Sequence, residues 1–197
     1  MSDQEKMATN MSIRAIIESL NDILGGNGAR VILKKAGVDH LFNAPPNNDW
    51  EPCITVKDQA RMFTEVTNVL GLTGALGIWR RIGYLGFKNT VEIARVLDPI
   101  SNNGLSPDMK FIKGMEIYRE GTGKGGPAMD ENGRPAFDVP ECVICEGYRL
   151  DRPICSSYEG VIQYLANWAY GENVYNVREK RCKAMGHDSC FFVLEKK

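Results

Sequence analysis

The chain has almost no histidine, two residues in 197, and no excess of either charge. Lys plus Arg number 24 against 25 Asp plus Glu, a net charge of −1. The basic residues are spread and interleaved with acids, so no nucleic acid is expected as a direct partner. A long apolar run is also missing. The most apolar stretch, Val69 to Phe87, is split by Arg80 and Arg81, and what remains on either side is too short to span a bilayer. The opening Met1-Ser-Asp-Gln-Glu-Lys is polar and lacks the apolar core of a secretory signal. These absences predict a cytoplasmic protein with no membrane span, in a reducing environment. Catalytic patterns are scarce too. No Ser/His/Asp arrangement or carboxylate pair stands out, and neither His40 nor His187 sits where a general base is expected.

Helical periods dominate the first half. Residues 1–10 read as a flexible tail and 11–197 as a single domain. Met11 to Leu24 is amphipathic, with Ile13, Ile16, Ile17, Leu20 and Leu24 recurring at three and four. Gly25-Gly26-Asn27-Gly28 stops it, and Ala29 to Ala36 makes a short helix closed by Gly37. Residues 43–53 have the composition of a loop. Lys57 to about Phe87 is helical in pattern, followed by a helix from Asn89 to Leu97. Gly71, Gly74, Gly77, Gly83 and Gly86 stand at multiples of three within it. Glycine lowers helix propensity. Close helix-to-helix packing, inside the fold or across a dimer, is the expected compensation; a kinked helix without a partner is the alternative.

Met109 to Arg119 reads as helix and Gly121 to Pro135 as a glycine-rich loop. The string Gly121-Thr-Gly123-Lys-Gly-Gly126 has the form of a dinucleotide fingerprint, but no helical pattern follows it before Pro127 and Pro135. It is read as a loop. From Phe137 the period changes: Phe137 to Cys145 suits a strand, Ser157 to Tyr170 a helix, Val174 to Cys182 a strand, and Cys190 to Leu194 a fully apolar strand. No internal repeat or low-complexity segment is evident.

Cysteine is the residue present in surplus. Five of the six lie beyond residue 140, and in a reducing compartment metal ligation competes strongly with disulfides. Tyr175, Val177 and Glu179 share one face of their strand, which points a carboxylate toward the core, where it needs a partner or a metal. Cys182 and Cys190 bracket a loop between two antiparallel strands, so their sulfurs can meet. They could form a disulfide, share a metal, or pack as small apolar groups. Cys155 precedes Ser156-Ser-Tyr-Glu159, which has the form of a capping box, and a thiol beside a helix N-terminus ionises more easily. Three thiolates and one carboxylate would fill a tetrahedral zinc site.

The segment Arg-Pro-Ile-Cys155, the strand from Tyr175 to Arg181, and Cys182-Lys-Ala-Met-Gly-His-Asp-Ser-Cys190-Phe together resemble the 4-vinyl reductase (hydrocarbon-binding) domain family. The resemblance covers about residues 137–197. The family includes small stand-alone proteins, sensor domains of phenol-responsive activators, and a protein linked to bacteriochlorophyll synthesis. Its fold is related to transport-protein-particle subunits. The resemblance implies an α+β fold, with N-terminal helices packed on a C-terminal antiparallel sheet with a capping helix. It also implies Zn2+ held by Cys155, Glu179, Cys182 and Cys190. One departure is a second pair, Cys142-Val-Ile-Cys145, absent from the phenol sensors. It could replace Glu179 or hold something else, including an iron–sulfur cluster. The sensors' histidine and tryptophan phenol anchors find no counterpart here.

The second half is rich in aromatics, with Tyr148, Tyr158, Tyr164, Trp168, Tyr170 and Tyr175. With Trp79, Tyr84 and Phe87 they either line an apolar pocket, as the resemblance implies, or form a plain core. The pocket reading takes Trp79, Tyr84, Phe87, Trp168 and Tyr175 as ligand contacts. No nicotinamide or flavin motif supplies a hydride source, so the chain reads as a binding protein more than an enzyme. The expectation is a homodimeric sensor or carrier of a small hydrophobic molecule (hydrocarbon, aromatic or tetrapyrrole). The alternatives are a catalytic or accessory factor in (bacterio)chlorophyll vinyl-group reduction, and a dimeric scaffold without ligand.

Overall fold

Two short strands, β1 (Met7–Thr9) and β2 (Pro52–Thr55), pair antiparallel and open the first of two compact units. The computed structural model describes residues 7–145 and 148–197. Its contacts divide the chain into residues 1–93 and 94–197, where the sequence was read as one domain. Residues 7–9, expected in a flexible tail, form β1; residues 1–6 of that tail lie outside the described residues.

Each strand runs directly into a helix. β1 leads into α1 (Asn10–Lys35), the short α2 (His40–Asn43) follows, and β2 leads into α3 (Val56–Ala94). The Thr9 hydroxyl accepts the Ser12 N–H at 3.4 Å, and the Thr55 hydroxyl accepts the Asp58 N–H at 3.0 Å. Such caps satisfy backbone donors that the first helical turn leaves unpaired. Both helices break at a glycine, Gly25 (φ 68°, ψ 170°) and Gly71 (φ 67°, ψ 168°). That conformation is essentially reserved for glycine.

The two breaks are counterparts. Thr9 and Thr55, Ile16 and Met62, Leu20 and Val66, Gly25 and Gly71, Gly28 and Gly74, Ala29 and Ala75, and Ile32 and Ile78 are each 46 residues apart. Every apolar member of these pairs is buried. Ala8 pairs with Ile54, its own counterpart, and Met7 with Thr55, so the strand pair is symmetric about Ala8 and Ile54. This is a strand–helix–glycine–helix repeat, which the sequence reading missed. The core positions keep apolar character and rarely identity, and cores tolerate that exchange.

The break after Leu24 falls where expected, but helix resumes at once. In α3 the break lies at Gly71, and no boundary separates Phe87 from Asn89. The expectation of close packing by the α3 glycines holds at Gly86, whose β-carbon would stand 3.8 Å from that of Ala15. Gly77 has nothing within 4 Å, and a β-carbon on Gly74 would meet only Leu70 of its own helix. Gly71 serves the bend.

The second unit holds α4 (Asp98–Ser101), α5 (Pro107–Thr122), β3 (Gly126–Met129), β4 (Pro135–Val139), α6 (Ser156–Tyr170), β5 (Tyr175–Arg181) and β6 (Cys190–Lys196). The four strands form an antiparallel sheet in the order β3-β4-β6-β5. Its central strand β6 buries Cys190, Phe192, Val193 and Leu194, as its unbroken apolar run predicts. The predicted strand from Phe137 to Cys145 ends at Val139, and the predicted loop contains β3. Gly123 ends α5 in the left-handed conformation, and Gly125 lies against the Phe137 ring, 2.6 Å from where its β-carbon would be. The fingerprint-like glycines thus stop a helix and start a strand. Close helix packing appears in α5: a β-carbon on Gly114 would come within 2.7 Å of Leu165 on α6. The α+β class is as expected, and no described helix is long and apolar enough to cross a membrane.

Substituting alanine separates the glycine roles. Gly25→Ala and Gly71→Ala are each expected to cost about 1–3 kcal/mol, the usual strain of that backbone region. Gly77→Ala, with open space, should gain up to about 1 kcal/mol from helix propensity. Urea unfolding measures all three; equal effects at Gly71 and Gly77 would contradict the assignment.

Candidate metal centre

Five cysteines and one glutamate converge at one end of the sheet. β6 begins at Cys190, directly opposite Val139 at the end of β4, and beyond Val139 the chain reaches Cys142 and a single 3-10 turn, Val143–Cys145. Cys155 stands at the N-terminus of α6. Cys182 follows β5, and a second 3-10 turn, Lys183–Met185, reverses the chain toward Cys190. The Lys183 N–H donates to the Cys190 sulfur at 3.4 Å.

Glu179 and Cys182 are an odd number of residues apart, so a regular strand would point them to opposite faces. The ladder resolves this with a bulge: Glu179 pairs with Phe192 and Arg181 with Phe191, leaving Lys180 without a partner residue. A bulge re-aims the side chains that follow it, and both groups reach the cluster. Lys180 turns outward to an ion pair with Glu195.

Helix α6 is fixed to edge strand β5 by side chains that stand in for a neighbouring strand. Gln163 donates to the Tyr175 carbonyl at 2.9 Å and accepts the Val177 N–H at 3.1 Å. One turn earlier, Glu159 accepts the Glu179 N–H at 2.9 Å. At the helix start, the Cys155 N–H donates to Glu179 Oε2 at 2.9 Å. Residues 155, 159 and 163 share one helix face. The capping box expected from Ser156 and Glu159 is therefore not made; Glu159 is used across to the strand, and Cys155 holds the cap position without a side-chain cap bond.

The sulfurs are close. Cys155 lies 3.3 Å from Cys142, 3.2 Å from Cys145 and 3.6 Å from Cys190, while Cys145 lies 3.4 Å from both Cys182 and Cys190. All five are buried, and none is in a disulfide. Two overlapping four-residue sets could hold a metal ion: Cys155, Glu179, Cys182 and Cys190, and Cys142, Cys145, Cys155 and Cys190. The first is the sequence-predicted set. Cys142 and Cys145, left open by the sequence, join the same cluster.

Electrostatics favour one ionised thiol at most without a cation. Cys142 is held far below the usual thiol range by hydrogen bonds from Cys155 and Cys190, helped by the N–H groups of Cys145 and Ile144. The same bonds to Cys142 push Cys155 and Cys190 up, and burial pushes Cys182 up to about 12. Burial also raises the Glu179 carboxyl, whose Oε1 is buried without a hydrogen bond of its own, beside the cysteine thiols. A divalent cation would reverse these penalties by pairing each charge.

The predicted ligand residues divide between the units. In the first, Trp79 packs edge-on against Phe63 at 6.4 Å, Phe87 is buried, and Arg81 lies over the Tyr84 ring. In the second, Tyr175 contacts Tyr170 at 4.9 Å, and Trp168 flanks Gly114 beside Leu165. Tyr148 is exposed, as are His40 and His187. Two groups that sequence reasoning missed stand out on α3: Trp79 Nε1 and Asn89 Nδ2 are buried and have no acceptor among the described residues. Only tertiary burial marks them.

Residues 135–196 match the 4-vinyl reductase domain, the type expected at about 137–197. No curated protein matches the chain. Among solved structures, an H-NOX protein from S. oneidensis in the Fe(II)NO ligation state is similar over 93% of this chain and 98% of its own, with a TM-score of 0.57 at 12% identity. A structure described as probing heme distortion in the H-NOX family gives a TM-score of 0.58 at 16% identity over 96% and 95%. The phenol-responsive sensory domain of the transcription activator PoxR, with phenol, gives 0.53 at 17% identity over 70% and 72%. At these identities the likeness is one of fold.

Burial predicts thiol reactivity. In the native, reduced protein Cys53 is half-buried, and burial followed by the Asp49 carboxylate raises its thiol. It should still be the first to alkylate, with the five cluster cysteines protected until denaturant is added. Mass spectrometry showing rapid modification of Cys155 or Cys190 in the folded protein would refute the buried cluster.

Proposed function

We propose that the chain is a sensor or carrier module that binds a small hydrophobic molecule, with a structural zinc site in the cysteine cluster. The observation that carries the ligand half is the pair of buried, unsatisfied donors Trp79 Nε1 and Asn89 Nδ2. An unmade hydrogen bond in a dry place is costly, and a ligand that brings an acceptor oxygen beside an apolar body would remove that cost. Phe87 and Tyr84 on the same helix supply apolar and aromatic surface. Trp168 and Tyr175 are the proposed contacts within the second unit. The 4-vinyl reductase match and the fold likeness to a phenol-responsive domain and to H-NOX proteins support small-molecule sensing. Heme itself fits poorly: both histidines are exposed, so neither offers a buried imidazole to an iron.

For the metal half, Cys155, Cys182, Cys190 and Glu179 would hold zinc. Sulfurs around a tetrahedral zinc stand about 3.8 Å apart, from a Zn–S bond of about 2.3 Å. The observed 3.2–3.6 Å needs only a small expansion. The four ligands fill the coordination shell, so zinc would staple β5, β6 and the start of α6 without taking part in chemistry. An iron–sulfur cluster suits the spacing less well, because iron and sulfide atoms would lie between the sulfurs and hold them further apart. A cytoplasmic setting accords with six free thiols. A two-fold homodimer belongs to the same reading, and light scattering should then give a mass well above 22.0 kDa.

Ligand binding should appear as thermal stabilisation. At about 100 times the dissociation constant the gain is about 2.7 kcal/mol, or about 2–4 °C for each kcal/mol in a chain of this size. The screen should contain phenol, a long-chain hydrocarbon and a porphyrin bearing vinyl groups. Trp79→Phe keeps the aromatic bulk and deletes the donor, so it should weaken phenol at least about tenfold, the cost of a lost hydrogen bond of roughly 1.5 kcal/mol. Equal phenol affinity in both proteins would remove Trp79 from the site, and no shift with any compound would favour the scaffold reading.

A further inference from the structure

The cluster contains more donors than one tetrahedral ion can use. Six groups, five thiols and one carboxyl, fall into two sets of four that share Cys155 and Cys190. A tetrahedral ion takes four ligands, so a single zinc in the first set would leave Cys142 and Cys145 as spectators in a dry core. Their surroundings are not those of spectators. The Cys142 sulfur receives the N–H groups of Ile144 and Cys145, which favour a thiolate. The Cys145 sulfur stands within 3.4 Å of Cys155, Cys182 and Cys190.

We propose that the site binds two zinc ions that share the thiolates of Cys155 and Cys190. Cys142 and Cys145 complete the tetrahedron of one ion, and Glu179 and Cys182 complete that of the other. The six residues supply all eight coordination positions because two of them count twice. The bridging role falls on the two cysteines common to both sets, whose sulfurs lie 3.6 Å apart. The charge is also better matched. Five thiolates and a carboxylate carry six negative charges, of which one divalent ion offsets two and a pair offsets four. Binding releases the thiol protons to solvent and involves no electron transfer. Cys155 and Cys190 come from the start of α6 and the start of β6. The second ion would tie the segment after β4, which carries Cys142 and Cys145, to those two elements.

The proposal rests on the metal half of the function proposed above and is independent of the hydrophobic ligand. The full chain is purified under reducing conditions, loaded with excess zinc, desalted and analysed for metal and protein. Two zinc ions per wild-type chain are expected, with one remaining in the double variant Cys142→Ser/Cys145→Ser. Cadmium-113 resonance on the wild-type chain, loaded with cadmium, should show two signals. One would be in the all-sulfur range and the other shifted by the oxygen ligand. This reading does not depend on the variant folding. One ion in the wild-type chain overturns the shared site and leaves the single zinc standing, whereas none overturns both. Two ions in wild type and variant alike would place the second elsewhere and also overturn the proposal. So would iron with inorganic sulfide.

Discussion

A dry core that holds five thiols and a carboxyl group is the constraint on which the C-terminal half depends. Such groups lose their hydration on burial and cannot all ionise side by side. The surrounding structure answers with direct backbone donors: the Cys155 N–H on Glu179 Oε2, and the Lys183 N–H on the Cys190 sulfur. These bonds exist only if α6, β5 and β6 keep their mutual positions. Gln163 and Glu159 give the edge strand partners from a helix in place of another strand. The bulge at Lys180 then aims both Glu179 and Cys182 inward. Secondary structure, register and donor geometry serve one small volume.

The N-terminal half answers a different constraint, set by glycine. Each helix of the repeated pair breaks where the backbone enters a region closed to other residues, at Gly25 and Gly71. Three residues on, Gly28 and Gly74 leave room for Leu24 and Leu70, whose β-carbons would lie 2.7 and 2.9 Å from an added one. Two glycines are therefore required at each break, the first for its dihedral angles and the second for space. The apolar pairs flanking them are buried on both copies. The same local device, used twice, shapes a core from two helices that share little sequence identity.

Function follows from what this packing leaves unsatisfied. The Glu179 Oε1 atom beside the thiols and the N–H donors of Trp79 and Asn89 are the groups whose surroundings ask for a cation and for an acceptor, respectively. They lie in different units of the chain. A stapling metal in one and a small ligand in the other are compatible roles. The aromatics of the second half, by contrast, largely satisfy one another: Tyr158 packs on Phe192, Tyr118 on Phe137, and Tyr170 on Phe111 with its hydroxyl on Asp108. For these residues the plain-core reading is the better one.

By itself the sequence determined the element types over most of the chain, the glycine stop after Leu24, the apolar central strand from Cys190, and the inward face of Tyr175, Val177 and Glu179. All of these follow from short-range periodicity and from the dihedral limits of single residues, which are written locally. It also marked Cys155, Glu179, Cys182 and Cys190 through their resemblance to a known domain, whose match to residues 135–196 was then found. Tertiary structure alone decided that Cys142 and Cys145 join them, that Glu159 abandons its cap for the strand, and that a bulge brings Glu179 and Cys182 to one side. It also decided that Gly114, and not the α3 glycines as a set, makes the closest helix packing. The repeat of the first unit became visible only from matched breaks and burial. In each case the deciding contact joins segments far apart in the chain, and neither propensity nor period carries information over that distance.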